Sequence, residues 1–162
     1  MEASIQVVPL SWREDANIIV GQSHFIKTVE DVAEIVNGTV PGAHYGLAFC
    51  EASSPCLIRT EGNDPDLVAD ATRNAQAVGA GHTFFLVLKN AYPINILPAI
   101  KACPEVCHIF CATGNPVQVI VAATPQGKGI MGVIDGASPI GVEGAADKAD
   151  RHDMLRKLGY KF

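Results

Sequence analysis

Short apolar runs, each interrupted by a tight polar turn, set the pattern of this chain. Ile5–Val8 and Asn17–Gly21 read as strands from their β-branched content, joined by the polar segment Ser11–Asp15. The run VEDVAEIV changes period: Val29, Val32, Ala33 and Val36 recur at helical spacing and share one face. Thr28 precedes it as a candidate cap, with Asp31 three residues on as a capping-box variant, and Asn37-Gly38 ends it. YGLAFCEA and CLIRT predict a hairpin with Ser53-Ser54-Pro55 at its tip. Asp64-Pro65 is a helix start, an acidic cap followed by proline at the first helical position. That helix should reach about Val78 and stop at Gly79-Ala80-Gly81.

HTFFLVL predicts a buried strand, and NILPAIKAC a short helix with Asn95 as cap and Pro98 in its first turn. VCHIFCA, VQVIVAA and IMGVID predict three more strands, separated by the turns TGNP and TPQGKG. A last amphipathic helix is expected over DKADRHDMLRKL, acidic at its start and basic at its end, stopping at Gly159. Strands outnumber helices, and hairpins mix with crossovers. The prediction is a single α/β domain over residues 1–162, a three-layer α/β/α sandwich with a mixed central sheet.

Composition narrows the function. Of 162 residues, 48% are hydrophobic and 18% charged, enough for one core without disulfides or metals. It also suits a protomer with a large apolar interface. The net charge of −5, with no Lys/Arg cluster, argues against nucleic acid as a partner. A small phosphorylated ligand remains compatible, since one or two cations and backbone N–H groups suffice for it. The longest apolar runs fall far short of the ~18–20 residues that span a bilayer, so no membrane partner is expected. The start MEASIQVVPL lacks a signal-peptide pattern, and a cytoplasmic location is expected, with the five cysteines as small buried hydrophobes in a reducing compartment.

Two motifs carry less than they promise. Gly127-Lys128-Gly129-Ile130-Met131-Gly132 matches GxGxxG but lies between strand-like runs rather than before a helix, so a hairpin turn using positive φ accounts for it better than a dinucleotide site. Cys103, Cys107 and Cys111 recur every four residues, a spacing unlike the close pairs of zinc and iron–sulfur sites, and core packing is the better reading. No GxxxxGK[ST] occurs, which excludes a P-loop mechanism.

The stretch GQSHFIKTVED holds the most chemistry. His24 sits at a strand end with Lys27 nearby, and strand ends are where open α/β sheets bind ligands. A neutral imidazole can attack phosphorus and hold it as a phosphoramidate, with an ammonium group to balance the charge. Positions 24 and 27 share a face only if the segment is already a helical turn; the dull alternative is a histidine bonded to a carbonyl beside a solvated lysine. His82, after Ala80-Gly81, stands at the mouth of another strand. Glu51, Arg59, Asn115 and Asp135 also punctuate strand ends, singly as turn residues or together as a polar cleft for a ribose, a base and a phosphate.

Five blocks carry a resemblance beyond this pattern: IIVGQSHFIKTVEDVAEIV, YGLAFCEAS, GAGHTFFLVLKNAYPINILPAIKACPEVCHIFCATGNPVQVIVA, GVIDGASPIGVE and LRKLGYKF. Collinear and covering nearly the whole chain, they resemble the archaeal and bacterial adenosine-specific kinase family. The resemblance implies a three-layer α/β/α protomer, a homo-oligomer (a trimer or a multiple), a pocket for adenosine or AMP, and a histidine that carries phosphate. That role falls on His24 with Lys27 as charge partner, and His82 is the rival. Glu51, Asn115 and Asp135 would orient ribose and base, or hold the Mg²⁺ that a nucleoside triphosphate donor brings. A protein that binds adenosine or AMP without turnover is the alternative.

Overall fold

A computed structural model describes residues 2–162. Strands β1 (Ser4–Pro9) and β2 (Asn17–Ser23) lead into helix α1 (Thr28–Thr39). The hairpin β3 (His44–Cys50) and β4 (Ile58–Gly62) follows, then α2 (Pro65–Val78), β5 (Thr83–Lys89) and α3 (Pro93–Ala102). The chain continues through β6 (Val106–Thr113), β7 (Val117–Thr124) and β8 (Gly127–Asp135) to α4 (Ala145–Lys157).

Among the described residues the eight strands divide into two sheets. Five form the central sheet in the order β4-β3-β5-β2-β6, and three form a smaller one, β1-β7-β8. Every ladder in both sheets is antiparallel, so the central sheet is not the mixed one expected. Each helical crossover, β2–α1–β3, β4–α2–β5 and β5–α3–β6, skips one strand, and the skipped strand runs antiparallel between the two it joins. A lone parallel bridge between Ala80 and Lys128 links the end of α2 to the small sheet.

Side chains alternate across a strand, so each central strand feeds two cores. Ile19, Leu47, Phe84, Leu86 and Leu88 face one way, onto Val32 and Val36 of α1 and Ile96 and Ile100 of α3. Ile18, Val20, Ala48, Phe85 and Val87 face the other way. They meet Leu67, Ala71 and Val78 of α2 and Val117, Val119 and Val121 of β7. Both faces are covered, which is why HTFFLVL is apolar throughout rather than alternating. The expected three layers are therefore present, with α1 and α3 on one side and α2 beside the small sheet on the other.

Local signals worked where they are self-contained. Asp64 caps α2, its carboxylate accepting from the Asp66 and Leu67 amides at 3.0 and 3.3 Å, and Gly79 ends the helix in the left-handed region. Elsewhere a neighbour overrode them. No capping box forms at Thr28: its hydroxyl lies 2.6 Å from Ser23 Oγ and from the Phe25 carbonyl, and Asp31 turns to Lys27 instead. Asn95 is not the cap of α3. Pro93 starts that helix, placing Asn95 in the first turn, where its Oδ1 accepts from the Tyr92 amide at 3.0 Å. Gly127, Gly129 and Gly132 lie within β8 without positive φ, so the hairpin turn is Pro125-Gln126 and the glycines are not needed to make it. Helix α4 buries no residue in this chain, so it has no packed face here.

Candidate functional site

In the antiparallel central sheet β2 and β3 end where β4, β5 and β6 begin. Residues at or just outside those strand ends therefore share one rim: His24, Glu51, His82 and Glu105 outside them, and Arg59 as the second residue of β4. Backbone bonds stitch the rim sideways. The Ser23 amide donates to the His82 carbonyl at 2.9 Å, the His24 amide to the Glu105 carbonyl at 3.0 Å, and the His82 amide to the Cys50 carbonyl at 2.7 Å.

His24 is exposed, its ring stacked beside Phe25 at 6.5 Å and 16°. Lys27 already has helical φ and ψ at −49° and −26°, and its backbone carbonyl accepts the first bonds of α1. Its ammonium lies 2.9 Å from Asp31. That bond and its charge, helped by Glu105, raise the Lys27 pKa, and Asp31 is in turn lowered chiefly by Lys27. Lys27 therefore stays cationic throughout the physiological range.

Behind Asp31 lie Cys103 and Glu105, with ligand-type atoms of all three within 4.8 Å of one another. Glu105 is buried, and its Oε1 has no hydrogen-bond partner among the described residues. Burial, then Glu105, pushes the Cys103 thiol up to about 11. Lys27 already supplies this cluster with a positive charge, so we read it as the lysine's anchor rather than as a metal site. Of the three regularly spaced cysteines, Cys103 and Cys111 are buried as expected, whereas Cys107, like Cys56, is exposed and does not pack in the core.

His82 is half-buried, with φ of +62°, and its ring stacks on Phe49 at 6.0 Å and 22°. A non-glycine residue in that region costs roughly 1 kcal/mol or more, strain that the surrounding backbone bonds must hold. Glu51 accepts from the Leu57 amide at 2.7 Å and from Arg59 Nε at 2.9 Å. The Leu57 amide, then Arg59, hold its carboxyl below the usual range against the opposing effect of burial.

Two cavities open beside this rim. One, of about 660 Å³, is lined by Phe25, Ile26, Lys27, Arg59 and Glu61. The other, of about 810 Å³, is lined by Glu51, Leu57, Gln76, Gln126 and Lys128. Ile58 lines both. The sequence reading missed Gln76, Gln126, Lys128 and Glu105. Lys128 lies within GKGIMG, a motif whose glycines point to a turn rather than to a site, and nothing local distinguishes the others.

Asn115 and Asp135 lie elsewhere. Thr113 Oγ1 donates to Asp135 Oδ1 at 2.9 Å, Asn115 Nδ2 donates to the same oxygen at 3.2 Å, and the Asn115 amide donates to Thr113 Oγ1 at 2.9 Å. Thr113 pairs with Ile18 at the start of β2, whereas His24 follows its end, about 20 Å away at ~3.3 Å per residue. Within one protomer Asp135 and Glu51 therefore do not converge on one ion.

The chain is an α/β protein with cavities beside a sheet rim that carries histidines and cations, the kind of setting in which small-ligand sites form. More narrowly, it belongs to the adenosine-specific kinase family, whose model matches residues 8–161. Among solved structures it is similar to the PH1918 protein from Pyrococcus horikoshii OT3, with 42% identity and a TM-score of 0.95, covering 99% of each chain. No curated protein matches it. Adenosine-directed kinase function follows at the level of the family.

Proposed function

We propose that this protein transfers phosphate to or from adenosine or AMP through a phosphohistidine at His24. The observation that supports the reading is an exposed imidazole on the sheet rim, immediately before Phe25, Ile26 and Lys27, which line a cavity together with Arg59, although His24 is not itself among the lining residues. In the first step a ring nitrogen lone pair attacks the phosphorus of a phosphoryl donor. The P–N bond forms as the bond to the leaving oxygen breaks, and that oxygen keeps the electron pair. In the second step a nucleoside hydroxyl attacks, the P–O bond forms, the P–N bond breaks, and the hydroxyl proton passes to solvent or the freed imidazole. Lys27 and Arg59 balance the charge on the transferring group. The larger cavity, with Gln76, Gln126 and Glu51, offers donors and acceptors suited to a base and a ribose. Mg²⁺ would enter with a nucleoside triphosphate donor.

The test is radiolabel transfer. The purified protein takes up acid-labile, base-stable phosphate, and His24→Ala takes up none. Label that persists in His24→Ala and disappears in His82→Ala moves the role to His82.

One observation favours the alternative of binding without turnover. Lys27 and Arg59 are already paired, with Asp31 and Glu51, which leaves little uncompensated positive charge for a triphosphate. Calorimetry with adenosine, AMP and ATP beside a turnover assay separates the two: AMP binding with no product from any donor selects a sensor or buffer. We also infer a cytoplasmic homo-oligomer, supported by the apolar composition and by the exposed surface discussed next.

A further inference from the structure

Helix α4 and the segment before it leave the body of the protein. From Ser138 to Phe162, 24 of 25 positions are exposed and only Leu155 is intermediate, and α4 itself buries nothing. The segment is not a polar tail: Ile140, Val142 and Phe162 stand at 107, 97 and 109% exposure, and Met154 and Leu158 are also open. It is nonetheless ordered within itself. Arg151 donates to both carboxylate oxygens of Glu143 at 3.0 and 2.9 Å, and the Gly144 amide donates to Asp147 at 2.8 Å. A lone helix of this length is marginal in water without a surface to pack on.

A matching surface exists on the same chain. In the small sheet Val8, Ile130 and Val133 turn inward onto the core. Ile5, Val7, Met131 and Ile134 on the same strands are left open. A one-sided antiparallel sheet normally presents polar residues to water, so an apolar outer face marks an interaction surface. Segment and face are each uncovered within the chain, and association of identical copies covers both at once.

We propose that residues 138–162 pack on a second copy of this chain, over the outer face of its three-stranded sheet. This rests on the homo-oligomer reading and is independent of phosphoryl transfer. Ile140 and Val142, just past the end of β8, are the leading contacts, and Ile5, Val7, Met131 and Ile134 receive them.

Light scattering on the full chain tests both levels. The wild type is expected at a multiple of the monomer mass. The double variants Ile140→Asp/Val142→Asp and Met131→Glu/Ile134→Glu, each checked for native circular dichroism, are expected to raise the dissociation constant at least 100-fold. A monomeric wild type overturns the oligomer and this proposal together. An oligomer that survives the Ile140/Val142 variant overturns the proposal alone. Should the sheet variant fail to fold, a photo-crosslinker at position 140 in a mixture of isotopically light and heavy protein gives an independent answer. Mixed-label adducts at residues 5, 7, 131 or 134 are expected. Adducts within one copy, or at other sites, overturn the proposal.

Discussion

Lys27 and Arg59 approach one cavity from different elements, each on a carboxylate leash. If the phosphate sits between them, Lys27→Met should weaken AMP binding about tenfold, the worth of one charge-assisted bond of about 1.4 kcal/mol. Adenosine, which lacks the phosphate, should lose less than about twofold. Calorimetry with both ligands checks this, and equal losses would make Lys27 merely structural. Asp70 gives a residue-scale test of stability. Its buried carboxylate meets Arg73 at 2.6 Å and Arg13 at 3.1 Å. Burial pushes its pKa up, yet the bonds from Arg73 and Arg13 outweigh that and leave it lowered. A carboxyl whose folded pKa is depressed stabilises the fold above its unfolded value of ~3.9, and that stability goes as pH falls through the folded value. Asp70→Asn should therefore cost about 2–3 kcal/mol at pH 7 and much less near pH 3, as urea unfolding at the two pH values will show.

At the scale of elements, helix α2 lies so close on β3 that only glycine fits between them. A Cβ at Gly46 would stand 2.0 Å from the Leu67 carbonyl carbon and 2.1 Å from the Val68 nitrogen, both backbone atoms that cannot rotate away. Gly46→Ala should cost about 2–4 kcal/mol in denaturant unfolding, since the helix must lift off the sheet. Gly38→Ala, whose Cβ meets nothing within 4 Å, is the control and should change little. The elements that sequence pattern recovered are those fixed locally: the Asp64-Pro65 start, the Gly79 stop, and the β3–β4 hairpin. The misread caps were decided by groups the pattern ignores. Ser23 and the Phe25 carbonyl take the Thr28 hydroxyl, and Pro93 moves the start of α3 past Asn95. His24 and Lys27 are neighbours in sequence, which is what suggests a pair; in the structure Lys27 is held by Asp31 and lines a cavity whose lining does not include His24. Asn115 and Asp135 were not separable from them by pattern, since strand order alone puts them at the far end of the sheet.

Across the whole molecule, the division into two sheets depends on pairings such as Ser4 with Ala123, too distant in sequence for any local signal. The same division leaves the small sheet with an open apolar face and sends residues 138–162 away from the body. Nothing in that segment is buried, so it adds nothing to the core of an isolated protomer. Its contribution to stability must then come through association and must depend on concentration. The melting temperature of the wild type should rise by several degrees between micromolar and hundred-micromolar protein. Ile140→Asp/Val142→Asp should melt at the dilute wild-type value at every concentration. Scanning calorimetry over that range decides the matter. A variant that melts below the dilute wild type would mean the segment supports its own protomer after all.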